Sequence, residues 1–356
     1  MQTKEKEIII SIVIPYYCTP KDLYSKCMES ILSAPSDRIE VLVIDDGSPQ
    51  EFYPVLNQYT NDSRVKLIHT PNAGVSSARN RGIKEATGYW VMFVDSDDFV
   101  ATDALNSIIR YAENNHGDVI LFNGGTYSNG KIKNNTSFLK EGINYAANAE
   151  NQLSVMSSAL SVGLLPQGYV QYFSLGAPVC KLIRTDFLKE NDICFDTSAT
   201  FAEDTLFSLQ VYNTANDIRY KDYYLYYYVR NSSSITHRYR PGLSKEMDVF
   251  FNKVMAFLKA NKLESELEYA YYVRVQFEIG RVFTREFFHS ENHDKNRRKK
   301  YFAFLHSEPY LHTLEKNYVT RKGFEMKVKY YLIMHGHGKL YDQLYTARRK
   351  RLLRKA

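Results

Sequence analysis

Two aspartates one residue apart, Asp95 and Asp97, followed at once by Asp98, close an apolar run at 89–94. Carboxylates so spaced on a strand end can set hard oxygen ligands on a divalent cation that bridges to a diphosphate. Mg²⁺ and Mn²⁺ prefer carboxylate, water and phosphate oxygens. A second pair, Asp45-Asp46, ends another apolar run at 39–44 and leads into Gly47-Ser48. Five acidic groups therefore gather at strand ends. Neither G-x-G-x-x-G nor G-x-x-x-x-G-K-[ST] follows any of these runs, so no glycine loop is available to cradle a phosphate with backbone amides. An acidic rim plus an ion reads as a nucleotide-diphosphate site. The competing reading is that Asp97 and Asp98 cap the turn and helix that follow.

The elements that must position these groups alternate in period. Short β-branched or aromatic runs at 8–14, 39–44, 65–69, 89–94 and 118–122 have strand length and apolar residues on both faces. Between them Leu23, Cys27 and Ile31, then Val75, Ala78, Gly82, Ile83 and Ala86, then Leu105, Ile108, Ile109 and Ala112 form helical stripes, the last opened by Thr102 as N-cap. This alternation predicts an α/β fold, a mostly parallel sheet flanked by helices, with ligands collecting at the carboxyl ends of its strands. The stretch 126–165 reads as loop-rich, and a strand returns at 223–230. After Pro241-Gly242 long amphipathic helices begin, with Met247, Phe250, Val254, Phe257 and Leu258 on one stripe.

Composition removes other classes. With 356 residues, 44% hydrophobic and 24% charged, the chain is globular rather than disordered. No apolar run approaches the ~20 residues of a membrane-crossing helix, and the start lacks the pattern of a signal peptide. Cys18, Cys27, Cys180 and Cys194 show no C-x-x-C spacing, so reduced thiols in a cytoplasm are expected. The net charge of +6 is uneven, since Arg348, Arg349, Lys350, Arg351, Arg354 and Lys355 crowd the end. Such a tail suits an anionic membrane surface. Nucleic acid would explain the tail but explains the acidic rim badly. The bland reading is a solvated helix face.

In order and separation, SIVIPYY, EVLVIDDGS, NAGVSSARNRGI and GYWVMFVDSDD, then GAPVCKLIRTDFL, FAEDTLF and YYLYYYVRNSSSIT, resemble the family 2 glycosyltransferases of the GT-A fold over residues 8–240. The resemblance implies a GT-A (Rossmann-like) domain with a nucleotide-sugar-binding half at 1–125 and an acceptor-binding half at 126–240, while the composition shift after Pro241-Gly242 sets off a basic helical region at 241–356. It implies that Asp46 accepts from the uracil imide, that Pro15 and Tyr17 line the base pocket, that Asp95 faces the nucleotide sugar and that Asp97 binds Mn²⁺ or Mg²⁺. The usual asparagine after the tyrosine is Cys18 here. Arg79 either donates to the nucleotide or is a helix-surface arginine. Glu203-Asp204 matches the family's second acidic element, with Asp204 as base and Glu203 in support, although the pair also looks like a helix start.

The implied activity is inverting transfer from a UDP-sugar to a saccharide or lipid-linked oligosaccharide. The setting is cytoplasmic, with peripheral contact at the inner face of the plasma membrane. Two rivals are a nucleotidyltransferase, which lacks its basic phosphate-clamping loop here, and a non-catalytic sugar-nucleotide-binding module. Tyr169, Tyr172, Phe173 and the tyrosines of 223–228 offer stacking faces for sugars, although most tyrosines serve packing. His335 and His337 read as loop residues.

Overall fold

A computed structural model describes residues 8–161, 175–230 and 238–316, together with Leu332 and Leu340. Tyr169, Tyr172, Phe173, His335, His337 and the basic tail from Arg348 to Lys355 lie outside the described residues. The chain divides into two compact units, 1–232 and 233–356.

The first unit runs β1 (Ile10–Tyr16), α1 (Lys21–Leu32), β2 (Ile39–Asp46), a short α2 (Tyr53–Leu56), β3 (Val65–Thr70), α3 (Val75–Glu85), β4 (Trp90–Phe93), β5 (Phe99–Val100), α4 (Thr102–Ala112), β6 (Val119–Ser128), β7 (Lys131–Asn134), α5 (Ala149–Leu160), β8 (Lys181–Arg184), α6 (Thr185–Glu190), α7 (Glu203–Thr214) and β9 (Ile218–Val229). Among the described residues one nine-stranded sheet holds the strands, in the order β3-β2-β1-β4-β8-β6-β9-β5, with β7 paired to β6. Strands β3, β2, β1 and β4 are mutually parallel. β1 is buried at every position, as expected for a parallel strand covered on both faces.

Beyond β4 the sheet becomes mixed. β8 runs antiparallel to both β4 and β6, and β6 and β9 are parallel across two register shifts near Asn123. The four-residue KLIR of β8 carries charge at both ends and no alternation, so nothing local marks it as a strand. Its pairing to Val91 and Ile120, far away in sequence, makes it one. The stretch expected to be loops holds β7 and α5, the latter capped by Asn148, whose side chain accepts from the Asn151 amide at 2.9 Å. Thr102 is the first residue of α4 rather than its N-cap, and its hydroxyl donates to the Ser30 carbonyl at 2.9 Å.

Gly82 explains how α3 sits so close to the sheet. A Cβ there would meet Val13 Cγ1 at 2.2 Å, so only glycine allows the approach. Arg79, three residues earlier, is buried on the same helix.

The second unit contains α8 (Leu243–Ala260), α9 (Glu264–Val282), a π-helical turn Phe283–Phe287, α10 (Arg297–Leu305) and α11 (Tyr310–Lys316). Met247, Phe250, Val254 and Leu258 of the expected stripe are buried, with Phe251 among them, and Phe257 is half-buried. Glu286 takes the amides of Gly242 at 3.1 Å and Ser244 at 2.6 Å, satisfying orphan donors at the start of α8. Among the described residues, no helix is long and apolar enough to cross a membrane.

Candidate active site

The ends of β1, β2 and β4 and the start of α3 converge as the strand-end rule requires. At the end of β2 the two aspartates do different jobs. Asp45 is fully buried; its carboxylate accepts from the Ser48 amide at 3.0 Å and meets His69 Nδ1 at 2.7 Å, closing the turn and tying it to β3. Asp46 accepts from the amides of Ala73 at 2.8 Å and Gly74 at 2.9 Å, one on each oxygen. It therefore clamps the loop that enters α3, and a carboxylate with about four lone-pair sites retains capacity for a further donor.

Pro15, Tyr16, Tyr17, Asp46, Asn72, Gly74, Val75 and Ala78 line one cleft of about 310 Å³. This is within the lower size range of small-molecule sites. Tyr17 is 55% exposed, which leaves its ring face open. Next to it Cys18 sits in the left-handed region at φ 49°, and its amide donates to Ser48 Oγ at 3.1 Å. Asparagine tolerates that conformation better than most residues, so the substituted position still demands the backbone geometry that asparagine serves.

The segment after β4 divides its carboxylates sharply. Asp98 is 1% exposed and accepts from the Tyr226 hydroxyl and from the Val229 amide at 2.7 Å, holding the end of β9. Burial, then the charges of Asp97 and Asp95, push its carboxyl well above the ordinary range. The capping expectation is not met, because Asp98 bonds β9 and not the helix that follows. Ser96 and Thr19 share a buried hydroxyl contact of 2.6 Å that fixes the turn to the end of β1. Asp97 is exposed. Partial loss of hydration, then the charge of Asp95, push its carboxyl upward.

Arg79 is 5% exposed and so is not a helix-surface arginine. Its guanidinium donates to Asp95 Oδ1 at 2.9 Å and to Glu203 Oε1 at 3.3 Å, while Nε has no partner among the described residues. It also lies 5.2 Å from the Phe195 ring centroid, which stacks on Phe207 at 3.9 Å. Arg79 does not line the cleft; it joins the Asp95 segment to the acidic pair on α7, 124 residues away in sequence. Burial and then Asp204 push the Glu203 carboxyl upward, and Arg79 opposes them. Asp204 Oδ1 accepts from the Thr205 amide at 2.8 Å.

Carboxylate oxygens are the right donors for Mn²⁺ or Mg²⁺. Among the described residues no three His, Cys, Asp or Glu side chains surround one point. Phosphate and water oxygens would have to complete a shell, as Mg²⁺ sites with one or two carboxylates commonly have.

Sequence reasoning missed Asn80, whose side chain makes two 2.8 Å bonds to the Phe195 backbone and so holds the stacked ring under Arg79. It also missed Lys181 and the Asp98–Tyr226 contact. Asn80 stands in the ARNRG segment, and its place within that segment, next to Arg79, was the signal that could have found it.

Residues 11–157 match the family model Glycosyl transferase family 2. The uncharacterized glycosyltransferase EpsJ of Bacillus subtilis (strain 168) is 27% identical over 254 residues, 70% of this chain and 69% of that protein. The poly(ribitol-phosphate) beta-glucosyltransferase of Bacillus spizizenii is 31% identical over 262 residues, 72% of this chain but 37% of that protein. Among solved structures, S. aureus TarS 1–349 superposes with a TM-score of 0.56 at 18% identity, covering 96% of this chain and 92% of that one. A second structure of that region, in complex with UDP-GlcNAc, gives 0.53 at 22% identity, covering 84% and 80%. Residues 11–157 thus carry the family 2 glycosyltransferase pattern, and the chain shares the fold of the solved TarS structure.

Proposed function

We propose that this glycosyltransferase moves a sugar from a UDP-sugar, with inversion at the anomeric carbon, to a hydroxyl of a lipid-linked cell-surface glycan. The observation that carries the reading is the Asp95–Arg79–Glu203 chain of ion pairs, which sets the acidic pair of α7 next to the strand-end carboxylates and their neighbouring nucleoside-sized cleft. A solved relative in the same fold holds UDP-GlcNAc, and another relative is named for glucosyl transfer to poly(ribitol-phosphate); these support a UDP-sugar and a surface-polymer acceptor.

In this reading Tyr17 and Pro15 pack against the uracil, and Asp46 accepts its imide proton while still clamping the α3 loop. Asp97, with Asp95 beside it, would hold Mn²⁺ or Mg²⁺, whose chemistry when bound is to neutralise charge on the departing diphosphate. Asp204 takes the proton of the acceptor hydroxyl as that oxygen attacks, and Glu203, pinned by Arg79, keeps the pair in place. One direct displacement with a general base needs no covalent sugar-enzyme intermediate, which gives inversion. The basic residues from Arg348 to Lys355 supply a peripheral contact with anionic lipid, each near-surface charge worth about 1 kcal/mol.

The test is UDP release across UDP-glucose, UDP-galactose and their N-acetylated forms, with a lipid-linked acceptor extract. Stimulation of one donor by the extract is expected. Calorimetry with Asp97→Ala accompanies it: Mn²⁺-dependent UDP affinity should disappear, and affinity equal to wild type with and without Mn²⁺ would remove the ion from the scheme.

A further inference from the structure

Helix α7 presents Asp204, Ser208 and Tyr212 at intervals of four residues, hence on one face. Against that face lies Lys181, the first residue of β8, 2% exposed. Its Nζ donates to the Leu175 carbonyl at 2.9 Å, to Ser208 Oγ at 3.1 Å and to the Tyr212 hydroxyl at 2.8 Å. Ser208 spends its own proton on the Gly176 carbonyl at 2.8 Å, and Tyr212 spends its proton on Leu175 at 2.8 Å. Each hydroxyl must therefore accept from the lysine, so three ammonium protons meet three acceptors. A buried ammonium is expensive unless so satisfied. The network joins the turn ahead of β8 to the helix that carries the acidic pair.

We propose that Lys181 is a positioning residue for the transfer step, locking residues 175–176 to α7 and so setting the place of Asp204 one helical turn away. The inference rests on reading Asp204 as the base. Asp204 and Tyr212 face the ammonium from α7, and the Cys180 thiol faces it from the adjoining turn. Burial pulls the lysine down to about 7, with Asp204 and Cys180 pushing it back up.

The experiment measures kcat and donor KM of UDP release, using the donor chosen by the screen and the lipid-linked extract. Lys181→Met should lose about 10- to 100-fold in kcat, the scale of a small misplacement of a reacting group. Donor KM should stay the same. Lys181→Arg, which keeps the charge and the donors, should recover part of kcat. Wild-type kcat in a folded Lys181→Met, or a loss that appears in donor KM rather than kcat, would overturn the proposal. Should that variant not fold, Ser208→Ala with Tyr212→Phe removes two of the three acceptors; kcat must fall with donor KM constant, and an unchanged kcat would overturn it equally. Asp204→Asn is run alongside. Turnover by that variant would remove the base reading and this inference together, whereas an inert Asp204→Asn beside a wild-type-like Lys181→Met would remove the inference alone.

Discussion

The strand-end rim and the start of α7 use the same carboxylate chemistry in opposite proportions. On the rim, Asp45, Asp46 and Asp98 all turn inward to take amides, a histidine or a hydroxyl, and only Asp97 is exposed, with Asp95 held by Arg79. On α7, one acid of two is pinned by Arg79, and the other makes a single bond to its neighbour's amide. The number of acidic residues at a site is therefore no measure of its ligands. Most of the rim's negative charge builds the loops; a small remainder is available for chemistry.

The sharpest test of that division is the pair on α7. Asp204→Asn should keep UDP affinity by calorimetry but lose about 10²- to 10⁴-fold in kcat, the usual contribution of a general base. Wild-type turnover would make the two regions equivalent and equally structural.

Arg79 is the link between them. Arg79→Met leaves Asp95 and Glu203 without their buried partner, and breaking such a pair costs about 3–5 kcal/mol. Denaturant unfolding should register that loss. A stability change under about 1 kcal/mol would mean the two regions hold their places independently.

Asp98 and Asp97 stand side by side and are expected to behave differently. Asp98→Asn should lower stability by about 1–3 kcal/mol, the cost of an imperfectly satisfied buried group, while Mn²⁺-dependent UDP binding persists. Loss of that binding with stability intact would place Asp98 among the ligands and erase the contrast. At the small end, Cys18→Asn should raise stability by about 1 kcal/mol, since asparagine adopts the left-handed backbone more readily; a lower melting temperature would show that the thiol contributes contacts of its own.

The legible part of the site was the part carried by short segments. Pro15, Tyr17 and Asp46 do line one cleft, because parallel strands necessarily bring their carboxyl ends together. Lys181 was illegible for the opposite reason: in KLIR it looks like a surface lysine, and only the hydroxyls of Ser208 and Tyr212, folded over it, make a buried ammonium tolerable.

The sequence by itself determined the βα alternation of the first half, the order in which acidic residues arrive at strand ends, and the apolar stripe of α8, since periodicity and strand-end chemistry are local properties of a chain. The tertiary structure alone decided which carboxylates are consumed by backbone amides, that β8 joins the sheet antiparallel, and that Arg79 spans from Asp95 to Glu203. Those outcomes depend on groups far apart in sequence meeting where water is excluded, and there an unpaired charge costs too much to be left without a partner.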